Sequence, residues 1–556
     1  MDIVITWGAH VGSAPSQFQN TVNTVATFLE SLFWDQVTVN ITVDWGFVDG
    51  SPVSSLGASS TFYDTFSYDG AVRAALISDS HTGIDAQSLS SLPNLGVGTP
   101  TVAIASAAAH ALGLTSITSV DGYCGFDSSV SWDWDNSNGV TPGSYDAFGV
   151  ILHEMTENLG RFSFVDGVST ISQQDLFRFS SSGTHQYSTG SPAYFSINNG
   201  ATNLGNWNTT NGGDYGDWAS SVGPDMGLAF GSSGVIEPFT TRDVINMDVI
   251  GYNYQGVNRD FNLNTISDVL WRNPTTGVTG YFQMTAGGFN GGWHDIGGSS
   301  TSYSIVGSGD FNYDGVADVL WRDNSTGITG YYQMNSSGNL VGWRDIGGSS
   351  TAYTVVGVGD FNGDHVSDVL WRDNSTGITG YFQMNSSGNL VGWHDVGGSS
   401  TAYTIKGVGD FNGDGVSDIL WRNDSTGTTG YFQMNSSGNL VGWHDIGGSS
   451  VSYSIVGVGD FNGDHVSDVL WRDNSTGVTG YYQMNSAGNL VGWRDIGGSS
   501  TTYTVVGTGD YNGDGISDVL WRNNSTGVVG YYQMDASGNL QGWHDIAGSS
   551  TAYLVY

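Results

Sequence analysis

Between residues 15 and 33 apolar side chains fall at Phe18, Val22, Val25, Leu29 and Leu32, spaced three or four apart, which predicts a helix with one buried face. Directly after it Val37, Val39, Ile41 and Val43 alternate with polar residues, the period of a half-buried strand. A second helix is predicted over about 145–159, where Phe148, Leu152, Met155 and Leu159 share a face and Gly160 supplies the stop. Residues 1–255 therefore mix helical and extended patterns and read as an α/β (α+β) unit. Residues 205–214 show neither period and read as loop, and 252–259 read as a linker.

Beyond the linker the pattern becomes strictly repetitive. The run Asp-Phe/Tyr-Asn-x-Asp-x-x-x-Asp-x-Leu-Trp-Arg starts at Asp260, Asp310, Asp360, Asp410, Asp460 and Asp510, with one departure in the first copy. Within the copy from Asp410, four short β-branched and aromatic runs follow: Ser417–Arg422, Thr429–Met434, Val441–Ile446 and Tyr453–Gly457. Turn-forming Asn, Asp, Ser and Gly separate them. Four antiparallel strands per repeat describe a propeller blade, so residues 256–556 are predicted as an all-β, six-bladed propeller. The last copy ends at Tyr553–Tyr556, where a fourth strand belongs, and residues 244–258 do not match the repeat and supply no seventh blade.

A length of 556 residues suits such a multidomain chain. Charge narrows its partners: 52 acidic residues against 14 basic ones leave a net charge of −38, which argues against nucleic acid and toward divalent cations. Cys124 is the only cysteine, so neither an intramolecular disulfide nor a cysteine metal cluster is available. No run of about 18 apolar residues offers a membrane span. The opening Met1-Asp-Ile-Val has no basic and apolar signal regions, so export cannot be read from it.

In the fourth copy Asp410, Asn412, Asp414 and Asp418 place oxygens at loop positions 1, 3, 5 and 9 around Gly415. With a backbone carbonyl from position 7 this matches the six to eight oxygens that calcium takes. The same set recurs as Asp310, Asn312, Asp314 and Asp318; Asp360, Asn362, Asp364 and Asp368; Asp460, Asn462, Asp464 and Asp468; and Asp510, Asn512, Asp514 and Asp518. About five structural Ca2+ ions are expected, against the alternative of Asp/Asn-rich turns holding no ion. The first copy has Asn264 and Thr265 at positions 5 and 6, and His365 and His465 replace the glycine in copies three and five. Three like charges per loop favour folding where calcium is abundant, which points to a secreted, extracellular protein. The repeats resemble the bacterial FG-GAP (VCBS) family, whose blades carry calcium loops, over a little more than half of the chain.

Chemistry of another kind is concentrated in Ile151-Leu-His-Glu-Met-Thr-Glu-Asn-Leu-Gly160. His153 and Glu157 lie four residues apart, on one side of a helix, and can grip one ion, while Glu154 beside them can hold a water. The alternative is a polar stripe facing solvent. Together with Asp175–Phe179, Tyr194–Ile197, Gly213–Trp218 and Asp243–Tyr252, the segment resembles a family of secreted bacterial zincin-type metalloproteases over most of residues 1–255. The resemblance implies a zincin-like domain with one catalytic Zn2+, His153 as ligand, Glu154 as general base and Glu157 where His-Glu-x-x-His enzymes carry their second histidine.

The third ligand stays open. The position that metzincins use after the helix-ending glycine is Ser163 here. Asp175 is the first choice, followed by Asp166 and His185, while His110 and His81 read as ordinary helix or loop residues. Met226 or Met247 is a candidate turn beneath the metal, or simply core. Trp421 and Trp443, with Tyr431 and Tyr453, could stack on sugars, although inter-blade core is the stronger reading. The Asn-Ser-Thr triplets at 324, 374, 474 and 524 read as turns. The expectation is thus an extracellular zinc-dependent endopeptidase acting on protein or peptide substrates, with a calcium-stabilised propeller that adds stability or docks to a glycan or cell-surface target. The alternative is a propeller lectin or adhesin whose N-terminal domain does not hydrolyse.

Overall fold

The computed structural model describes residues 1–93, 101–115, 119–165, 170–548 and 550–556. The chain divides into two compact units, Met1–Gln255 and Gly256–Tyr556.

In the first unit the strands Asp2–Trp7, Thr38–Trp45, Gly122–Phe126 and Gly57–Thr61 form one sheet in that spatial order. The first three run parallel, and Gly57–Thr61 lies antiparallel at the edge. Val39, Ile41 and Val43 are wholly buried, as the alternation requires. The first helix spans Phe18–Leu32, starting later than 15 because a 3-10 turn at Val11–Ser13 and extended Ala14 precede it. It buries all five apolar residues of its stripe.

The second helix spans Ala147–Leu159, since Tyr145–Asp146 is drawn into a short parallel ladder with Trp132–Asp133. It stops at Gly160, whose φ of +125° suits glycine. Leu152, Met155 and Leu159 are buried, and half-buried Phe148 meets Phe28 edge to face at 5.6 Å. The helix packs on the strands Gly57–Thr61 and Gly122–Phe126. A Cβ at Gly122 would fall 1.6 Å from Asn158 Oδ1, so this close approach depends on a glycine.

Two loop assignments are corrected. Gly205–Asn206 pairs with Tyr194–Phe195 as a strand. The linker begins later than 252, because Tyr252 and Tyr254 are buried and Trp34 N and Gln255 N bond to Asn253 O and Leu32 O. Among the described residues no helix is long and apolar enough to cross a membrane.

The second unit is a β-propeller of six four-stranded antiparallel sheets among the described residues. Its blades do not coincide with the repeats as read from the sequence. Asp418–Arg422, Thr428–Met434 and Leu440–Gly448 pair with one another, but Tyr453–Gly459 pairs with Asp468–Asp473 of the next sheet. A period of 50 residues determines spacing and leaves the phase open. Each repeat therefore supplies three strands to one blade and the first strand to the next. The ring closes by the same offset, since Leu554–Val555 pair with Val269–Arg272 and complete the first sheet. A second closure runs through the Leu-Trp-Arg motif. Arg272 lies 4.5 Å from the Trp321 ring, the pattern continues blade by blade, and Arg522 reaches Trp271 at 5.3 Å. Neighbouring sheets share cores such as Phe361, Leu370 and Tyr381 with Ile419, Trp421 and Met434.

Candidate metal centre

His153, Glu154 and Glu157 place one ligand atom each within 4.8 Å of one another, and no other such trio of His, Cys, Asp or Glu occurs among the described residues. The helix brings them together by spacing alone, and the surroundings set their orientation. His153 Nδ1 lies 2.8 Å from Met226 O; a carbonyl only accepts, so Nδ1 is the donor and Nε2 is turned inward. Nε2 lies 3.3 Å from Glu157 Oε1 and 3.7 Å from Asp217 Oδ1.

Asp217 is the residue that local spacing could not find. It belongs to the Gly213–Trp218 segment and arrives because Trp218 Nε1 donates to Asp243 Oδ1 at the start of the helix Thr241–Val249. Trp218 also stacks on Trp207 at 4.2 Å. Behind the two carboxylates stands buried Arg161, with Nη1 at 2.6 Å from Asp217 Oδ1 and Nη2 at 3.8 Å from Glu157 Oε1. Ser59 Oγ, from the edge strand, donates to Glu157 Oε2 at 2.5 Å. Glu154 is 5 % exposed and lies against Gly57, where a Cβ would come within 2.3 Å of its Oε1. All four acidic and imidazole groups line a cavity of about 530 Å³ with Ser59, Tyr145, Asp214, Phe230 and Glu237.

The electrostatics follow from this enclosure. Burial and the Arg161 charge pull the His153 imidazole down, but Asp217 and Glu157 outweigh them and lift it to about 10. Burial alone would raise Glu157, yet the His153 hydrogen bond and charge, with Arg161 and Ser59, bring it below the ordinary range. Burial, and then the Glu157 charge, hold Glu154 well above that range. Burial likewise raises Asp217. The cluster thus sets the charges of His153 and Arg161 against those of Glu157 and Asp217, while burial disfavours the charged form of Glu154.

The other candidates lie elsewhere. Asp175 does not line the cavity: Ser163 Oγ donates to its Oδ1, while Phe164 N, Ser172 N and Ser172 Oγ donate to its Oδ2. It ties a loop together, and the aspartate that stands near His153 Nε2 is Asp217 instead. His185 packs on Phe179 at 4.1 Å, and burial holds it down at about 4. Asp166 lies outside the described residues. His110 sits 3.9 Å from Asp121, and His81 lies against Trp34. Met226 acts through its carbonyl, and Met247 is core.

In the propeller loops the position-1 carboxylate folds back on its own loop. Asp410 Oδ1 accepts from Asn412 N, Gly413 N and Asp414 N, and Oδ2 from Gly415 N at 2.7 Å. The position-9 residue does something different: Asp418 is fully buried, with Oδ1 accepting from Met434 N and Oδ2 from Phe411 N. The same bond to the strand recurs at Asp318, Asp368, Asp468 and Asp518, and also at Asp268 of the first copy. Its presence in the copy that lacks the position-5 acid marks position 9 as a backbone staple. At position 3, Asn312, Asn362, Asn412, Asn462 and Asn512 each leave a buried Oδ1 without a partner. Thr265, His365 and His465 adopt φ values of +68°, +61° and +60° at the position where the other loops have glycine.

Comparison with known proteins bears on the propeller. The model of the FG-GAP-like repeat family matches residues 410–471 and 460–521, so the second unit is a propeller that carries FG-GAP-like repeats. No curated protein matches the chain. Similar solved structures include an Agrocybe aegerita lectin described as recognising non-reducing terminal N-acetylglucosamine, at 12 % identity over 55 % of this chain and 91 % of that one, TM-score 0.35. A nidogen/laminin complex gives 9 % identity, 52 % and 96 % coverage and a TM-score of 0.33. Virginiamycin B lyase from Staphylococcus aureus gives 9 % identity, 49 % and 77 % coverage and a TM-score of 0.30. Likenesses this distant bear on no ligand.

Proposed function

We propose that the N-terminal unit is a zincin-like, zinc-dependent endopeptidase acting outside the cell, and that the FG-GAP propeller stabilises it or docks it to a target. The observation that supports this reading is the placing of Glu157 Oε1 at 3.3 Å and Asp217 Oδ1 at 3.7 Å from His153 Nε2, on the wall of a cavity that Glu154 also lines. One imidazole nitrogen and two carboxylates are a donor set that suits zinc and leaves a position for water or substrate. Bound zinc supplies Lewis acidity toward that water and toward a peptide carbonyl. Met226 O holds the His153 ring in the tautomer that frees Nε2. Arg161 and Ser59 keep the carboxylates of Asp217 and Glu157 in place. Glu154, with a proton affinity raised by burial, accepts the water's proton and passes it to the leaving amine.

The loop residues of the five intact copies fit calcium through positions 1, 3 and 5, where the orphaned asparagine oxygens face no competing donor. A second reading is a propeller adhesin whose N-terminal unit does not hydrolyse; the FG-GAP match and the exposed tryptophans described below favour it. Elemental analysis and a casein assay on the full chain separate the two. The endopeptidase reading expects about one zinc per chain, kept in Glu154→Gln and Asp175→Ala and lost from Asp217→Ala, with cleavage abolished in Glu154→Gln. A folded chain that takes up no zinc and cleaves nothing leaves the adhesin.

A further inference from the structure

Each blade has two repeated tryptophans, and the fold treats them differently. Trp321 and its counterparts are fully buried. The outer-strand set Trp293, Trp343, Trp393, Trp443, Trp493 and Trp543 is between 36 % and 41 % exposed. Six exposed indoles on one unit are a large apolar liability unless something covers them.

The exposed indole is held rigidly. Trp343 lies over Gly330, whose Cβ, if present, would come within 2.4 Å of Cζ2. Tyr303 and Tyr332 stand nearly perpendicular to it, at 5.7 and 5.9 Å. The equivalent glycines 280, 380, 430, 480 and 530 make the same close approach. A fixed aromatic surface loses little conformational freedom on binding.

Beside Trp343 opens a cavity of about 350 Å³ whose walls combine aromatic and hydroxyl groups: Tyr303, Tyr332 and Trp321 on one side, Ser299 and Ser300 on the other. Arg272 joins the two sides, stacking over Trp321 while Nη2 donates to Ser300 O at 3.0 Å and Nη1 to Ser299 Oγ. Two polar groups here are underused. Trp321 Nε1 is buried without a partner, and the Tyr332 hydroxyl reaches only Gly298 O, at a long 3.4 Å.

We propose that this cavity binds a neutral pyranose, with C–H faces on the exposed indole and hydroxyls on the serine, tyrosine and indole N–H groups. An apolar plate bordered by hydroxyls and an unpaired donor matches a sugar ring, which is apolar on its faces and polar at its rim. The volume suits one or two residues of a glycan. The chain's net charge of −38 selects against acidic ligands. The proposal deepens the docking role suggested for the propeller and does not depend on the metal chemistry.

The test uses the full chain carrying Glu154→Gln, so that failure of the protease reading leaves the sugar result intact. Methyl glycosides of glucose, galactose, mannose and N-acetylglucosamine are titrated to tens of millimolar while indole fluorescence is followed. At least one glycoside is expected to give a saturable change, and Trp343→Ala should abolish it. Tyr303→Ala, which removes one of the indole's edge-on neighbours and leaves the indole itself, should weaken it, with circular dichroism confirming that both variants fold. No saturable change with any glycoside overturns the proposal. So does a response that both variants leave unaltered, and retention of the chain on immobilised gelatin alone would assign the indoles to a protein partner.

Discussion

Glu157 and Asp217 in the N-terminal unit and Asp410 and Asp418 in the propeller are all carboxylates largely withdrawn from water, yet their surroundings differ in kind. The first pair faces Arg161 and His153, side-chain charges carried by one helix and its C-terminal end, with Asp217 arriving from a distant segment. The second pair meets backbone N–H groups of its own loop and adjoining strand. Amide dipoles offset only part of the cost of burial: Asp368 is pushed up to about 9, and Asp418 and Asp468 to about 8, by desolvation that their amide bonds do not cancel. A cluster assembled once from distant segments carries its own cations. A loop copied along a repeat has only local groups to draw on, so part of its charge stays uncompensated by the protein.

The largest test of this contrast removes the internal cation. Arg161→Met leaves Glu157 and Asp217 buried without their partner and should cost about 3–5 kcal/mol in the N-terminal unit. Calorimetry of the full chain should show that unit's transition falling sharply while the propeller's stays in place. Equal falls in both would mean that the units are not energetically separate.

In the propeller the corresponding perturbation is proton for calcium. The position-9 carboxylates have folded-state pKa values above their unfolded value near 4. The stability they contribute on protonation is therefore full below that value and is lost as pH rises through about 8 to 9. In chelator the propeller's melting temperature should climb as pH falls from 9 toward 5. Millimolar calcium should raise the neutral end and flatten the slope. A chelated propeller with a level profile would show that the amides suffice.

The smallest effect compares single loops. Asn264 in the first copy donates to Met284 O and accepts from Ile266 N. Asn264→Ala should therefore cost about 1 kcal/mol, with or without calcium. Asp414→Ala should cost a similar amount in calcium and much less in chelator, measured by urea unfolding at both conditions.

What could be read before folding was whatever consecutive residues decide among themselves. Backbone geometry makes positions 153, 154 and 157 neighbours on any helix, and Gly160 ends that helix because its φ of +125° favours glycine. The propeller was legible for the same reason, since its strand runs and turns repeat within 50 residues. Contacts between distant segments were not. Asp217 reaches the site 56 residues beyond Arg161, through the anchoring of Trp218 on Asp243, whereas Asp175, much nearer in the chain, is consumed by its own loop. Trp421 and Trp443 look alike in the sequence, but one faces the preceding blade and the other the outer edge. The phase of the blades, the closure by Leu554–Val555 and the staple role of Asp418 likewise wait on which strand pairs with which. Local periodicity is a property of the chain's own dihedral angles, while these outcomes depend on long-range packing, which brings together groups that no spacing rule connects.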